Sequence, residues 1–145
     1  MKFLYYFILI FLCFSCSTSF ESKTETKSTS DLENGLTYLA LGDSYTIGES
    51  VDEQERWPIQ LTAKLKENGI IITETKIIAK TGWTTRNLMD AIAKEQPSKC
   101  DIVSLQIGVN NQYQKLPFNQ FKMEFNQLLS IGQYLCLDSN NFFVV

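Results

Sequence analysis

The sequence predicts an α/β fold in which helices cover a parallel sheet. Short apolar runs rich in β-branched residues alternate with segments whose apolar residues recur at helical spacing. Several of these runs stop at a glycine or at a polar turn. Strands buried on both faces give such continuous runs, and their alternation with helices is typical of a parallel sheet with right-handed crossovers.

The first two strands and the helix between them have clear boundaries. Residues 36–41 form a nearly continuous apolar run that ends at Gly42, which predicts the first strand. Pro58 suits the first turn of a helix, and Gly69 tolerates the left-handed conformation that ends one. The isoleucine-rich residues 70–79 predict the second strand.

A second helix and a third strand follow. Thr84 or Thr85 can cap the helix by accepting a backbone N–H bond, and Pro97 lies beyond its end. Residues 101–107 are apolar enough to form a buried strand, which Gly108 closes. The alternation of strand and helix therefore continues.

The third helix is predicted to begin at Pro117. Its apolar residues follow the 3.6-residue period: Phe118, Phe121, Phe125, Leu128 and Leu129. We expect residues 132–140 to interrupt this helix, because Gly132 opens a less regular stretch. A turn at residues 140–141 then leads into a fourth strand.

Three loops are candidates for a functional site. In parallel sheets, ligands bind outside the carboxyl ends of the strands. That rule selects residues 42–48, 81–85 and 108–113, which are far apart in sequence. We expect these loops to share one edge of the sheet.

The three loops carry residue types that ester hydrolysis requires. Ser44 is a candidate nucleophile, although Gly-Asp-Ser also suits an ordinary turn. The N–H groups of Ser44 and Gly82 and the amide of Asn110 could together stabilise an oxyanion. Gly82 could instead be a turn glycine, and Asn110 could bond its own backbone. The pattern matches neither the G-x-S-x-G elbow nor a P-loop.

Taken together, these blocks resemble the SGNH/GDSL hydrolases. "GDSYTIGES" is similar to the first block of that family, with Ser44 as nucleophile. "AKTGWTT" is similar to the second block through Gly82, and "IGVNNQY" to the third through Gly108 and Asn110. The resemblance implies a three-layer α/β/α, flavodoxin-like fold. It also implies a serine esterase that works through an acyl-serine intermediate without a cofactor or a metal.

Two further residues belong to the loops that resemble the family. Asp43 precedes the serine and is expected, with Gly108, to support the site. Asn111 stands where the family commonly has an aspartate, which removes a charge beside the predicted oxyanion donor. We expect Asn111 to belong to the supporting loop together with Asp43 and Gly108.

The fourth block of the family, Asp-x-x-His, has no counterpart in this chain. The chain contains no histidine, and its sequence ends in the apolar run "FFVV". We expect residues 36–145 to be the N-terminal portion of an SGNH hydrolase domain whose C-terminal part is missing, with little activity. A serine–lysine pair with Lys80 is not favoured, because such a lysine is usually solvated. The alternative is a non-catalytic surface lipoprotein whose cleft binds a glycan or a lipid.

The N-terminal residues predict export. Residues 1–16 combine one lysine, an apolar run and Cys16, as in a signal peptide of the lipoprotein type, in which Cys16 becomes lipidated. An ordinary secretory signal is the alternative. Residues 17–35 are rich in serine and threonine and predict a flexible tether. We therefore expect a bacterial cell-envelope protein, lipid-anchored or else secreted.

Composition limits the range of partners. The net charge of −3 and the pI near 5.0 give no basic surface, so we expect no nucleic-acid partner. The expected substrates are small-molecule, polysaccharide or lipid esters, and the expected state is a monomer. Cys100 and Cys136 could form a disulfide after export or be buried thiols. Trp83 and Tyr113 are candidates either for a substrate pocket or for the core.

Overall fold

Four parallel strands form the centre of the structure, a computed structural model that describes residues 35–145. They are β1 (Leu36–Gly42), β2 (Ile72–Ala79), β3 (Ile102–Gln106) and β4 (Phe142–Val144). Their spatial order is β2-β1-β3-β4, and every neighbouring pair is parallel. The predicted α/β class and parallel sheet are confirmed. The predicted signal, Cys16 and almost the whole tether lie outside the described residues.

Five helices connect the strands in this part of the chain. They are α1 (Ser44–Ile47), α2 (Trp57–Glu67), α3 (Thr85–Glu95), α4 (Val109–Tyr113) and α5 (Phe118–Leu135). The three long helices match the predicted ones, and Thr84 is the N-cap of α3. Short 3₁₀ turns occur at Glu53–Glu55 and Ser139–Asn141. The short helices α1 and α4 were expected to be loops, and both begin within a few residues of a strand end.

The strand order determines on which side of the sheet each long helix lies. The chain moves from β1 to β2 in one direction, and from β2 to β3 and on to β4 in the other. Right-handed crossovers therefore put α2 on one face and α3 and α5 on the opposite face. The two faces are filled very differently.

The face under α3 and α5 contains the hydrophobic core. Its buried members come from both layers: Leu39, Leu41, Ile78, Val103 and Leu105 from the sheet, and Leu88, Ile92, Leu128 and Leu135 from the helices. Burying one such side chain contributes about 1.5–3 kcal/mol. This layer is what holds the three strand ends of the candidate site in register.

The face beside α2 has an open apolar groove. Its cavity of about 400 Å³ is lined by residues of β1, α2 and β3 and by the last residues of the chain. Two of the side chains that line this groove, Leu61 and Phe143, are 36% and 50% exposed to solvent. Apolar side chains on this face are therefore only partly covered by the described residues.

Helix α5 differs from its prediction in two ways. It continues through Gly132 to Leu135, so it ends inside the stretch 132–140 where an interruption was predicted, but after the glycine and not at it. Gly132 is buried against Phe142, where an added Cβ would overlap Cε2 of the ring. The glycine thus provides close packing against β4 and does not break the helix. Phe118, expected on the buried face, is 72% exposed.

The two cysteines of this region are free thiols. Cys100 and Cys136 are partners in an isolated parallel bridge between the chain before β3 and the end of α5. Cys136 is buried, Cys100 is half-buried, and burial raises the pKa of both thiols. Neither bears a disulfide in this structure, so they serve here as small apolar residues.

Tyr38 makes the stability depend on pH in the alkaline range. Its hydroxyl lies 2.8 Å from that of Ser104, and burial raises its pKa to about 12 although this hydrogen bond opposes the shift. Because the folded chain holds the Tyr38 proton more tightly than the unfolded chain does, the contribution of Tyr38 to the free energy of unfolding is fully present below pH of about 10. It should then fall by about 1.4 kcal/mol per pH unit up to pH of about 12.

This prediction is checked by urea unfolding of the wild type and Tyr38→Phe across that pH range. The difference between the two curves isolates Tyr38 from the other five of the six tyrosines. A wild-type curve that stays parallel to that of Tyr38→Phe would contradict the expected shift.

Candidate active site

Three strand ends lie at the same level of the sheet. Gly42, the last residue of β1, is paired with Ala79 at the end of β2 and with Gln106 at the end of β3. The loops that follow these residues therefore begin side by side, at the carboxyl edge of the sheet. They are the three loops that the sequence predicts to lie together.

Ser44 is the first residue of α1, directly above β1. Its side chain is half-buried, and the N–H of Glu49 donates to its carbonyl oxygen at 2.9 Å. Asp43 precedes it and is 1% exposed, with its carboxylate accepting from the N–H of Tyr45 at 3.1 Å. Burial raises the pKa of Asp43, opposed by its backbone hydrogen bonds. Asp43 thus acts as the cap that fixes the turn carrying the serine.

Gln106 holds α1 and α2 against the sheet, a role that the sequence did not reveal. Its Oε1 accepts hydrogen bonds from the Thr46 hydroxyl at 3.2 Å and from the Trp57 indole N–H at 3.0 Å. Thr46 is completely buried and lies in α1, two residues after Ser44. The side-chain amide of Gln106 therefore supports the position of the serine.

Replacing Gln106 with leucine should lower the free energy of unfolding by about 2 kcal/mol, because Thr46 and Trp57 would each lose their acceptor. Urea denaturation measures this change. Gln112→Leu is the matched control, since Gln112 is exposed in α4. Equal losses for the two variants would show that Gln106 does not hold α1 and α2.

Asn110 joins the second and third loops. Its side-chain Nδ2 donates to the carbonyl oxygen of Trp83 at 2.9 Å, which leaves the second hydrogen of this NH₂ group for another acceptor. The side chain of Gln114 donates to the carbonyl oxygen of Gly82 at 3.3 Å. Asn110 therefore does not bond its own backbone, the alternative use that its sequence position left open.

The backbone N–H groups of Ser44 and Gly82 have no acceptor among residues 35–145. Gly82 is exposed and has a φ of +81°, a conformation that glycine adopts without strain. The Thr81 hydroxyl donates to the Glu49 carboxylate, which ties the loop after β2 to the chain after α1. Two N–H donors and one amide donor are thus available on loops that are bonded to one another.

The remaining predicted residues of the loops have structural surroundings. Gly108 has a φ of +131°, and an added Cβ would lie 2.9 Å from the ring of Phe121. Trp83 packs against the core, as one of its two sequence-based alternatives expected. Tyr113 is 85% exposed and therefore does not belong to the core. Trp83 thus supports the second loop from below.

A buried polar cluster lies beneath Asn110. Asn111 is bonded to the backbone and hydroxyl of Thr85, and the Thr85 hydroxyl is bonded to Glu124 of α5. Glu124 is 2% exposed, and its role was not predicted from the sequence. A signal was present, because Glu124 lies three residues after Phe121 and four before Leu128, on the apolar stripe of the helix.

Among the described residues 35–145, no general base is hydrogen-bonded to Ser44. There is no histidine, and Lys80 is exposed at the end of β2. Within residues 35–145, the Ser44 hydroxyl makes no hydrogen bond to a side chain that could take its proton. The same region contains no cluster of three or more potential metal ligands, and none of its helices has the length and hydropathy to cross a bilayer.

Several solved structures are similar to this one. AlinE4, an SGNH-hydrolase family esterase, has a TM-score of 0.65 and 22% identity over 76% of this chain and 58% of its own. TesA has a TM-score of 0.56 and 19% identity, with 68% and 55% covered. The esterase EstA from Pseudoalteromonas sp. has a TM-score of 0.54 and 20% identity, with 68% and 54% covered. The chain thus spans somewhat more than half the length of these proteins.

The sheet, its helices and the loops at its carboxyl edge define an α/β domain with the fold of the SGNH hydrolases. The sequence profile of the GDSL-like lipase/acylhydrolase family matches residues 40–134, which is most of the described region. The chain belongs to that family. A search of curated protein sequences gave no significant match.

Proposed function

We propose that this chain provides the nucleophile and the oxyanion hole of a serine ester hydrolase. The Ser44 oxygen attacks the ester carbonyl, the ester C–O bond breaks and the alcohol leaves with a proton, and water then hydrolyses the acyl-serine to a carboxylic acid and free Ser44. The N–H groups of Ser44 and Gly82 and the Asn110 amide receive the negative charge that develops on the carbonyl oxygen. Supporting residues are Asp43, Gly108 and Asn111.

The observation that carries this proposal is the alignment of Gly42, Ala79 and Gln106 at one sheet edge. It brings the nucleophile loop beside two loops with unoccupied donors, and the Asn110–Trp83 hydrogen bond joins those two loops. Such donors are effective only when they are preorganised around the developing charge. An ordinary turn at Ser44 would not require this arrangement.

We expect this chain to hydrolyse esters at a low intrinsic rate, because it has no histidine to take the proton of Ser44. Loss of the base from a serine triad costs on the order of 10⁶ in kcat. The activity of this chain is therefore expected to depend on a base supplied from outside residues 1–145.

A fluorophosphonate tests the role of Ser44, because it phosphonylates an activated serine and puts its oxygen where the oxyanion would lie. EstA, one of the similar esterases, has been solved in a form inhibited by monoethylphosphonate. We expect slow labelling of this chain at Ser44, measured by intact and peptide mass spectrometry. Imidazole in solution should accelerate it, since imidazole can act as the missing base.

Ser44→Ala is the matched control for both steps, and Ser50→Ala controls for an exposed serine six residues further along the chain. Labelling that survives in Ser44→Ala would overturn the nucleophile assignment. Rapid labelling without imidazole would instead show that the chain already contains a working base.

A second candidate is a non-catalytic module that binds a glycan or a lipid in the same cleft, which the lack of histidine favours. It predicts no labelling of Ser44 even with imidazole, together with saturable binding of an uncleaved ester or acylated sugar. Isothermal titration of the wild type and Ser44→Ala would separate binding from reaction.

We propose the cell envelope as the place of action, with the chain anchored through Cys16 and esters of lipids or polysaccharides as substrates. The support is the sequence of residues 1–35. Mass spectrometry of the mature N-terminus in a bacterial host should find an acylated Cys16, and Cys16→Ser should prevent the modification. Cleavage at another residue would identify an ordinary secretory signal.

A further inference from the structure

Three buried side chains form a hydrogen-bonded chain from the oxyanion loop to helix α5. The side-chain Oδ1 of Asn111 accepts from the Thr85 N–H at 3.0 Å, and the Nδ2 of the same amide lies 2.8 Å from the Thr85 hydroxyl. That hydroxyl in turn contacts Oε2 of Glu124 at 2.5 Å. All three residues are at most 3% exposed. Water therefore has little access to these groups and cannot readily replace their hydrogen bonds.

The chemistry of the groups fixes the direction of every bond in this chain. Because the Asn111 oxygen is used by a backbone N–H, its NH₂ group faces the Thr85 hydroxyl and donates to it. The hydroxyl has a single hydrogen, which it gives to the Glu124 carboxylate. The donor-to-acceptor direction, which is the polarity of these bonds, thus runs from Asn111 through Thr85 to Glu124.

The other oxygen of Glu124 is also occupied by donors. Oε1 accepts from Arg86 Nε at 3.1 Å, from Arg86 Nη2 at 3.0 Å and from Gln120 Nε2 at 3.0 Å. Burial acts to raise the pKa of Glu124, but the bonds from Thr85 and Gln120 and the Arg86 charge outweigh it and lower the pKa. The group beneath the site is therefore a carboxylate with donors on both oxygens.

This chain of bonds connects the loops that carry two oxyanion donors. Thr85 lies three residues after Gly82, and Asn111 directly follows Asn110. We propose that Glu124 is a positioning residue for the oxyanion hole, acting through Thr85 and Asn111, and that its carboxylate requires asparagine rather than aspartate at position 111. The positioning part rests on the proposed function, whereas the polarity part does not.

Each single change at the two ends breaks the polarity. Asn111→Asp sets a second carboxylate against the Thr85 hydroxyl, which has only one hydrogen for two acceptors. Glu124→Gln allows two arrangements of the new amide. In the first, its NH₂ group donates to the Thr85 hydroxyl, whose own hydrogen then has no acceptor. In the second, the amide is turned and its NH₂ group faces the donors of Arg86. Either mismatch is buried, where an unpaired polar group is costly.

The two changes together restore a complete set of bonds with the direction reversed. The glutamine amide introduced at position 124 would donate to Thr85 and keep its oxygen for Arg86 and Gln120. Thr85 would then donate to the carboxylate introduced at position 111. The sum of charges at the two positions is unchanged. The double variant should therefore be more stable, and label faster at Ser44, than either single variant. Independent effects would instead add, and the double variant would then be the worst of the three.

The experiment compares the wild type, Asn111→Asp, Glu124→Gln and the double variant. The first readout is phosphonylation of Ser44 by a fluorophosphonate in imidazole, separated into the maximal rate and the half-saturating concentration. Each single variant should lose about tenfold in the maximal rate, and the double variant should return to within about threefold of the wild type. Asn119→Asp, at an exposed position of α5, is the charge control.

The second readout is independent of catalysis. Urea unfolding and hydrogen exchange of the Thr85 amide should follow the same pattern, with faster exchange in each single variant and recovery in the double variant. Additive losses in both unfolding and exchange would overturn the polarity. Recovery of stability without recovery of the labelling rate would overturn the positioning role and leave a purely structural one.

Failure of the proposed function gives a different result. If the wild type is not labelled at Ser44 at all, the hydrolase assignment and the positioning role fail together. The unfolding cycle still decides whether Glu124 requires asparagine at position 111.

Discussion

Replacing Asn110 with aspartate is expected to lower the rate of Ser44 phosphonylation by about 10²–10³-fold. The change keeps the size of the side chain but removes its NH₂ group. The developing negative charge would then meet a carboxylate instead of a donor. The carbonyl oxygen of Trp83 would lose its partner as well, because Asn110 Nδ2 donates to it at 2.9 Å. Mass-spectrometric time courses in imidazole measure the rate.

Gln114→Glu is the matched control for this prediction. The Gln114 amide also donates to a carbonyl of the second loop, that of Gly82, but its side chain is exposed and has no proposed role in binding the oxyanion. It should change the labelling rate by about threefold at most. Similar losses in the two variants would mean that any negative charge near this edge slows the reaction, and Asn110 would no longer be a specific donor.

Gly42→Ala is expected to lower the free energy of unfolding by about 3 kcal/mol or more. An added Cβ would overlap the Thr46 hydroxyl oxygen and would lie 2.7 Å from the carbonyl oxygen of Gln106. The second of these atoms belongs to the backbone of β3, so it cannot move without loss of sheet pairing. Urea denaturation with circular dichroism measures the effect.

Gly69→Ala separates crowding from backbone strain. Gly69 has a φ of +80° and nothing within 4 Å of an added Cβ, so only the left-handed conformation is penalised, by about 1 kcal/mol. Gly42 has no such φ, and its cost comes from lack of space. If the two alanine variants were equally stable, the close approach of α1 to the strand ends would be wrong.

Local sequence patterns were sufficient for the elements that have strong boundaries. The continuous apolar run before Gly42 predicted β1, and Thr84 marked the start of α3 within a residue. Parallel pairing then required the strand ends to share an edge, so Ser44, Gly82 and Asn110 could be grouped from the order of elements alone. Periodicity and caps are properties of neighbouring residues, which is why a single sequence contains them.

Helix α5 shows where local patterns failed. A glycine in mid-sequence predicts a break by propensity, yet Gly132 lies inside the helix because Phe142 of β4 occupies the space beside it. Phe118 has the helical spacing of a core residue but lies at the helix start, where no other element of residues 35–145 covers it. The presence of a packing partner from another element decided the first case, and the absence of one among residues 35–145 decided the second.

The fold class, the strand ends and the three residue types at one edge of the sheet follow from the amino-acid sequence alone. How those loops are held depends on tertiary contacts: Gln106 under α1, Asn110 on the carbonyl of Trp83, and Glu124 beneath Thr85 and Asn111. A buried hydrogen bond needs a partner of complementary polarity within a narrow range of distance and angle. Because that condition joins residues dozens of positions apart, a local pattern can show that Glu124 is buried but cannot identify its hydrogen-bond partners.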